Sequence, residues 1–254
     1  MSNRALNIST CLLVLVMIII CPSAVLSFQT GDSERDEDRF RVLREAMVRD
    51  QISAPKDYRE PVKDEKVLAA MLTVPRHLFV RPNDISRAYN DYPIPIGYGQ
   101  TISQPYIVAL MTEMLDLSPG HRVLEVGTGS GYQAAILSCL VKEVYSIEIV
   151  EALGNQAAER LRRLHYGNVH VKVDDGYYGW KEHEPFDRII VTCASTLIPP
   201  PLLKQLRNGG KMCIPVGGQY VVQYLTMVEK SDTGEISMRK MLPVRFVPLI
   251  RSRR

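Results

Sequence analysis

Apolar and polar positions alternate along most of this chain with periods that define its elements. Phe40, Leu43, Met47 and Val48 recur at helical spacing with Arg and Glu between them, which predicts an amphipathic helix ending near Ile52. Asp64 is a good N-cap for a second helix through Val67, Leu68, Met71 and Leu72. Val74 to Pro82 is bounded by prolines and reads as a connector that buries Leu78 and Phe79. Ala88 to Pro105 holds three prolines, two glycines and little periodicity. A long irregular stretch of this kind inside a compact domain is usually functional. It runs into a helix with Ser103 as the expected N-cap and Pro105 near the first helical position, continuing through Ile107, Leu110, Met111, Met114 and Leu115.

From Val123 onward the pattern switches between buried strands and helices. Strands are expected at Val123 to Val126, Glu143 to Ile147, Val169 to Val173, Asp187 to Thr192 and Lys211 to Val216. Helices are expected at about Tyr132 to Leu140, Val150 to Leu164, and Pro199 to Leu206, the last capped by Gly209 and Gly210. Tyr220 to Glu229 and Glu235 to Leu242 read as strands joined by Asp232-Thr233-Gly234, a hairpin signal. Such alternation implies an α/β fold: a doubly wound, mostly parallel seven-stranded sheet with N-terminal helices and a C-terminal antiparallel hairpin. Ligands in such sheets bind beyond the carboxyl ends of the strands. Glu125, Glu148, Asp175 and Thr192 all fall at those ends.

Composition narrows the class without naming a function. The 254 residues are 46% apolar and 23% charged, ordinary for a globular protein. A net charge of +3 is too small to argue for a nucleic-acid partner. Arg4, the apolar run from Cys11 to Cys21, Pro22 and the small residues before Phe28 have the pattern of a secretory signal over residues 1–27. An uncleaved N-terminal anchor is the alternative, and no other membrane contact is expected. Residues 28–39 read as a polar linker and residues 40–254 as one domain, expected to be a monomer. Location is exported or periplasmic if the signal is genuine, and cytoplasmic otherwise. Cys139, Cys193 and Cys213 lie in apolar contexts without C-x-x-C or metal spacing, and are read as small buried hydrophobes.

The chemistry concentrates in V-L-E-V-G-T-G-S-G-Y, Val123 to Tyr132. Gly127, Gly129 and Gly131 end a strand and open a helix, where the main chain can turn sharply and approach a ligand. A dinucleotide fingerprint needs a glycine where Tyr132 stands, and a phosphate loop needs a lysine that is missing. Glu125 beside the loop repels a phosphate and suits a cation. S-adenosyl-L-methionine carries an ammonium and a sulfonium and no phosphate. Glu148 ends the next strand, where an acid binds ribose hydroxyls in this type of fold.

The chain resembles the protein-L-isoaspartate O-methyltransferase family over roughly Arg39 to Ile250. The most specific segment is Y-G-Q-T-I-S-Q-P, Tyr98 to Pro105, preceded by D-Y-P-I-P-I-G. V-P-R-H-L-F-V from Val74 and M-V-R-D-Q-I from Met47 also look like the family pattern. The resemblance implies S-adenosyl-L-methionine as cofactor and, as substrate, the free α-carboxylate of L-isoaspartyl residues in damaged proteins and peptides. It puts Ser103 at the family's active-site serine. Thr101, Ser103, Glu125, Gly127, Thr128, Gly129, Gly131, Glu148, Asp175 and Gly176 then fall at cofactor positions. Ile96, Gly97, Ser103, Val244, Arg245, Phe246 and Val247 fall at substrate positions, the last four as an edge expected to pair with the substrate main chain. Asp174 departs from the family, which often has glycine there, and so does the signal-like start. A carboxylate is already ionised at neutral pH and needs no base, so Ser103 is expected to aim it rather than attack. The alternatives are a methyltransferase for another carboxylate or small molecule, which the intact T-I-S-Q-P loop disfavours, and a non-catalytic exported binding protein, which the intact glycine loop disfavours.

Overall fold

The computed structural model describes residues 36–218 and 220–252. The chain divides into two units, Met1–Arg39 and Phe40–Arg254, and the described fold belongs to the second. The signal expected at residues 1–27, and the linker up to residue 35, lie outside the described residues. Among the described residues no helix is long and apolar enough to cross a membrane.

Helix α1 includes residues 40–47 and passes into one wide turn, Val48–Ser53. Helix α2 is Glu65–Thr73, and the Asp64 side chain caps it by accepting from the Lys66 and Val67 amides. The V-P-R-H-L-F-V segment forms a tight turn at Arg76–Phe79. That turn buries Phe79 but leaves Leu78 40% exposed, because successive residues of a tight helix point to different sides. The long Pro/Gly stretch is more regular than its sequence suggests. It folds back as a hairpin of β1 (Ile94–Gly97) and β2 (Gln100–Ile102), with Gly97, Tyr98 and Gly99 all at positive φ at its tip. Helix α3 is Pro105–Met114; its N-cap is Gln104, one residue beyond the expected Ser103.

The main sheet holds β3 (Arg122–Val126), β4 (Glu143–Glu148), β5 (Val169–Val173), β6 (Phe186–Val191), β7 (Leu206–Val216), β8 (Gln223–Lys230) and β9 (Ile236–Val244), in the order β5-β4-β3-β6-β7-β8-β9. The first five run parallel, and β8 and β9 add antiparallel. Helices α4 (Tyr132–Ser138), α5 (Glu151–Arg163) and α6 (Pro200–Gln205) make three of the crossovers, and the short turns Gly176–Tyr178 and Lys181–His183 carry the chain from β5 to β6. Because β4 and β6 flank β3 on opposite sides, the strand order reverses at β3, which opens a crevice at its carboxyl end.

Alternation along the strands splits the core in two. Val123, Val144, Ile190 and Cys213 pack with the N-terminal helices and α4. Their neighbours Leu124, Tyr145, Ile189 and Met212 pack on the other face with Leu202 and Leu206. Each fully buried aliphatic side chain contributes about 1.5–3 kcal/mol.

Two local expectations are corrected. Gly209 and Gly210 do not cap α6, since the chain turns extended at Leu206 and both glycines lie within β7. Between β6 and β7 the pairs Phe186–Leu206 and Arg188–Lys211 enclose a bulge, with Gly209 at φ +72°. Cys139, expected to be buried, is exposed at the end of α4, whereas Cys193 and Cys213 are buried.

Candidate active site

The glycine loop leaves β3 at Val126. Gly127 takes φ +102°, Gly129 +53° and Gly131 +85°. At Gly127 a side chain is also excluded by its neighbour, since a Cβ there would collide with the Thr192 hydroxyl. That hydroxyl donates to the Gly127 carbonyl at 2.6 Å, tying the loop to the end of β6. The Gly127 and Thr128 amides both donate to the Ile147 carbonyl of β4, at 2.8 and 3.2 Å.

Glu148, the last residue of β4, is buried at the wall of the resulting cavity. Its Oε2 accepts from the Gly129 amide at 2.8 Å and its Oε1 from the Val150 amide at 2.9 Å. Two main-chain donors fix the carboxylate plane while each oxygen keeps lone-pair capacity, as a diol acceptor requires.

This first cavity is lined by Thr101, Ser103, Gly127, Thr128, Gly129, Glu148 and Gly176 among the residues expected to hold cofactor. Val247, Pro248, Leu249 and Ile250 of the C-terminal segment line it too. A second cavity adjoins it, lined by Ser103, Gln104, Thr192 and the segment Pro243 to Val247. Thr101, Ser103, Thr192 and Val247 belong to both. Ser103 therefore stands where the two cavities meet.

Other expected residues lie elsewhere. Glu125 lines neither cavity and has no exposed surface. It sits opposite Ser146 in the β3–β4 register and accepts from the Ser146 hydroxyl, which in turn bonds the Thr128 hydroxyl at 2.6 Å. Burial, opposed by Ser146 and reinforced by the Glu148 charge, pushes the Glu125 carboxyl up to about 8. At neutral pH it is mostly uncharged and reaches the site only through Ser146 and Thr128. Asp175 is also covered. Its Oδ2 takes Arg251 Nε and the amide and hydroxyl of Ser252, each at 3.1 Å, and its Oδ1 caps the Tyr177 amide. Burial alone would raise this carboxyl, but Arg251 and the Tyr177 and Ser252 donors outweigh it and hold it below the usual range.

Gly131 is the N-cap of α4 and packs on Leu161. Ile96 lies against Gly129, and Gly97 turns the β1–β2 hairpin. The edge expected at Val244 to Val247 is largely engaged within the chain. Gln223 accepts from the Phe246 amide at 2.6 Å and donates to its carbonyl at 3.1 Å, and the Ala194 amide donates to the Val247 carbonyl at 2.8 Å.

Gln104, Gln133 and Gln223 were not anticipated, and Arg251, whose place near the chain end suggested a solvated cation, is instead bonded to Asp175. Gln104 lines the second cavity and donates to both the carbonyl and the carboxylate of Asp91, which Arg59 pairs at 2.6 Å. Gln104 sits inside the T-I-S-Q-P motif and was within reach of sequence reasoning; nothing in the pattern marks Gln223. Neither cavity is lined by His or Lys. Cys193 lines the first, but burial foremost, with the Glu148 charge, pushes its thiol up to about 12. The site is therefore poor in bases and nucleophiles and rich in positioning groups.

A family model described as protein-L-isoaspartate(D-aspartate) O-methyltransferase matches residues 49–254. The chain is 58% identical over 190 residues to protein-L-isoaspartate O-methyltransferase 2 of Polaromonas sp., covering 75% of this chain and 90% of that one. It is 50% identical over 239 residues to protein-L-isoaspartate O-methyltransferase 1 of Cupriavidus necator, covering 94% and 92%. Among solved structures it is similar to a putative protein-L-isoaspartate O-methyltransferase from Plasmodium falciparum in complex with S-adenosyl-L-homocysteine. The TM-score is 0.69 at 27% identity, over 84% of this chain and 98% of that one.

Proposed function

This chain belongs to the protein-L-isoaspartate(D-aspartate) O-methyltransferase family, and from that premise we propose how its two cavities carry out methyl transfer to L-isoaspartyl α-carboxylates in damaged proteins and peptides. The first cavity fits S-adenosyl-L-methionine. Glu148 presents an anchored carboxylate for a ribose diol, Gly129 leaves room beside the main chain, and the loop has no lysine that would call for a phosphate. Thr101, Thr128, Glu148 and Gly176 hold the cofactor, which when bound supplies an electrophilic methyl group on a sulfonium.

The second cavity takes the isoaspartyl residue. Ser103, at the junction, donates to the substrate carboxylate and aims one oxygen across into the first cavity; this shared position is the observation that carries the reading. Arg245 lines the second cavity as an exposed cation. It attracts the ionised carboxylate but not the neutral methyl ester, which favours release of product. The carboxylate needs no base, and holding two reactants in line supplies up to about 7–11 kcal/mol of the barrier.

With Phe246 engaged by Gln223, specificity comes from side chains and the carboxylate pocket more than from strand pairing. Domain 40–254 acts in this reading as a monomer. The sequence of residues 1–27 supports a secretory signal and an exported enzyme.

The test is methyl transfer from labelled S-adenosyl-L-methionine to two peptides of one sequence, one with L-isoaspartate and one with aspartate. Base-labile label is expected on the isoaspartyl peptide alone. Ser103→Ala should lower kcat/KM roughly 10- to 100-fold, the weight of one hydrogen bond to a charged group, with S-adenosyl-L-homocysteine affinity kept. Unchanged kcat/KM would remove Ser103 from the aiming role.

A further inference from the structure

Arg76 is the largest side chain in the fold with no exposed surface. Its Nε donates to the Ala88 carbonyl and its Nη2 to the Ser103 carbonyl, both at 2.7 Å. The guanidinium lies 4.8 Å from the ring centroid of Tyr132, which follows the glycine loop and lines the first cavity. Among the described residues the remaining nitrogen, Nη1, has no hydrogen-bond partner. The ionisable groups that act on Arg76 are Tyr132 and Tyr89, and neither is a carboxylate. Burial draws the guanidinium down to about 10, so it remains a cation at neutral pH.

A buried charge without a counter-ion is expensive, and a packed apolar side chain of similar volume is often better for stability alone. Its placement suits a different task. Arg76 touches Ser103 from the side away from solvent and, through Tyr132, the helix that opens from the glycine loop. A planar fork with two directed bonds fixes its acceptors in a way an ammonium cannot. A cation in a low-dielectric interior also acts on an anion held nearby more strongly than one in water does.

We propose that Arg76 is a positioning residue for methyl transfer: its guanidinium fixes the direction of Ser103 through the Ser103 carbonyl and biases the junction of the two cavities toward an anionic carboxylate. The inference rests on the reading of Ser103 as the group that aims the substrate. The fork sets orientation and therefore acts on kcat. The charge favours the anion and therefore acts on the KM of the peptide. The cofactor rests on Thr101, Thr128, Glu148 and Gly176 and is little affected.

The experiment uses the full chain with Arg76→Lys and Arg76→Met, an isoaspartyl peptide as substrate and S-adenosyl-L-homocysteine as the cofactor-site probe. Circular dichroism and thermal unfolding select the variants that fold. Arg76→Lys, which keeps the charge but not the fork, should lose roughly 10-fold in kcat with KM nearly kept. Arg76→Met should lose in kcat and also raise KM roughly 10-fold, each effect of the size of one charge-assisted hydrogen bond. S-adenosyl-L-homocysteine affinity should stay within about 3-fold for both, because Glu148, anchored by the Gly129 and Val150 amides, is held independently of Arg76. In a Ser103→Ala background the loss from Arg76→Lys should shrink to under about 3-fold, because both changes act on one contact.

A folded Arg76→Lys with wild-type kcat overturns the inference. So does an equal loss of probe affinity and kcat/KM, which indicates general collapse of the site. Losses that add fully with Ser103→Ala overturn it while leaving the Ser103 reading intact. A Ser103→Ala enzyme with unchanged kcat/KM removes the Ser103 reading, and this inference with it. If Arg76→Met does not fold, Arg76→Lys and the double variant still decide the matter.

Discussion

Replacing Glu125 with glutamine should make this protein more resistant to alkaline conditions. Glu125 is fully buried in β3, accepts one hydrogen bond from Ser146, and leaves Oε1 without a partner. Its carboxyl ionises near 8 in the native state against an ordinary 4.5. Below the ordinary value both states hold the proton. Between the two values the unfolded chain gives it up while the native state keeps it, so native stability falls as pH rises through that window. Linkage puts the loss at about 2 kcal/mol by pH 6 and nearly 5 kcal/mol by pH 9. Glutamine has no such dependence. Its amide leaves a buried donor unsatisfied and costs roughly 1–3 kcal/mol at every pH. The variant should therefore lie within about 1 kcal/mol of the wild type at pH 6 and exceed it by about 2–4 kcal/mol at pH 9, the gap moving by about 3 kcal/mol. Equilibrium urea unfolding at pH 6, 7.5 and 9, followed by fluorescence of the single tryptophan, Trp180, measures this directly. A gap that stays constant within about 1 kcal/mol, or moves the other way, would refute the claim that Glu125 is held neutral.

Two further outcomes are expected. Gly127→Ala forces a Cβ into the Thr192 hydroxyl at φ +102°, so S-adenosyl-L-homocysteine affinity by calorimetry should drop at least about 10-fold; affinity within 2-fold of wild type would mean the loop tolerates a side chain there. Gln223→Leu removes both bonds that hold the Phe246 main chain, so KM for an isoaspartyl peptide should rise roughly 5- to 10-fold while cofactor affinity stays put; equal losses in both would show that Gln223 supports the fold rather than the substrate side.

Local pattern alone determined much of this protein. Period-two and period-3.6 apolar spacing placed all seven strands of the main sheet to within a few residues, except that β7 begins five residues early, because the turn to extended backbone at Leu206 belongs to the bulge against β6. Gly127, Gly129 and Gly131 announced their positive φ values by being glycine where a strand meets a helix. T-I-S-Q-P marked the loop that carries Ser103. Tertiary structure decided which of several similar residues lines a cavity. Glu125 and Glu148 are both acids at the ends of apolar strands, and both were expected at cofactor positions, Glu125 beside the loop as suited to a cation and Glu148 for ribose hydroxyls. Glu125 lies one residue inside its strand, opposite Ser146 in the sheet, whereas Glu148 ends its strand at the cavity wall with two amides on its carboxylate. Asp175 looked like a free ligand until the C-terminal segment brought Arg251 and Ser252 onto it. Ser103 and Arg245 share a cavity only because the sheet carries the end of β9 back over α3. Periodicity records which side of an element is apolar. Which distant segment covers that side, and which polar atom finds its partner there, is settled only when the chain packs.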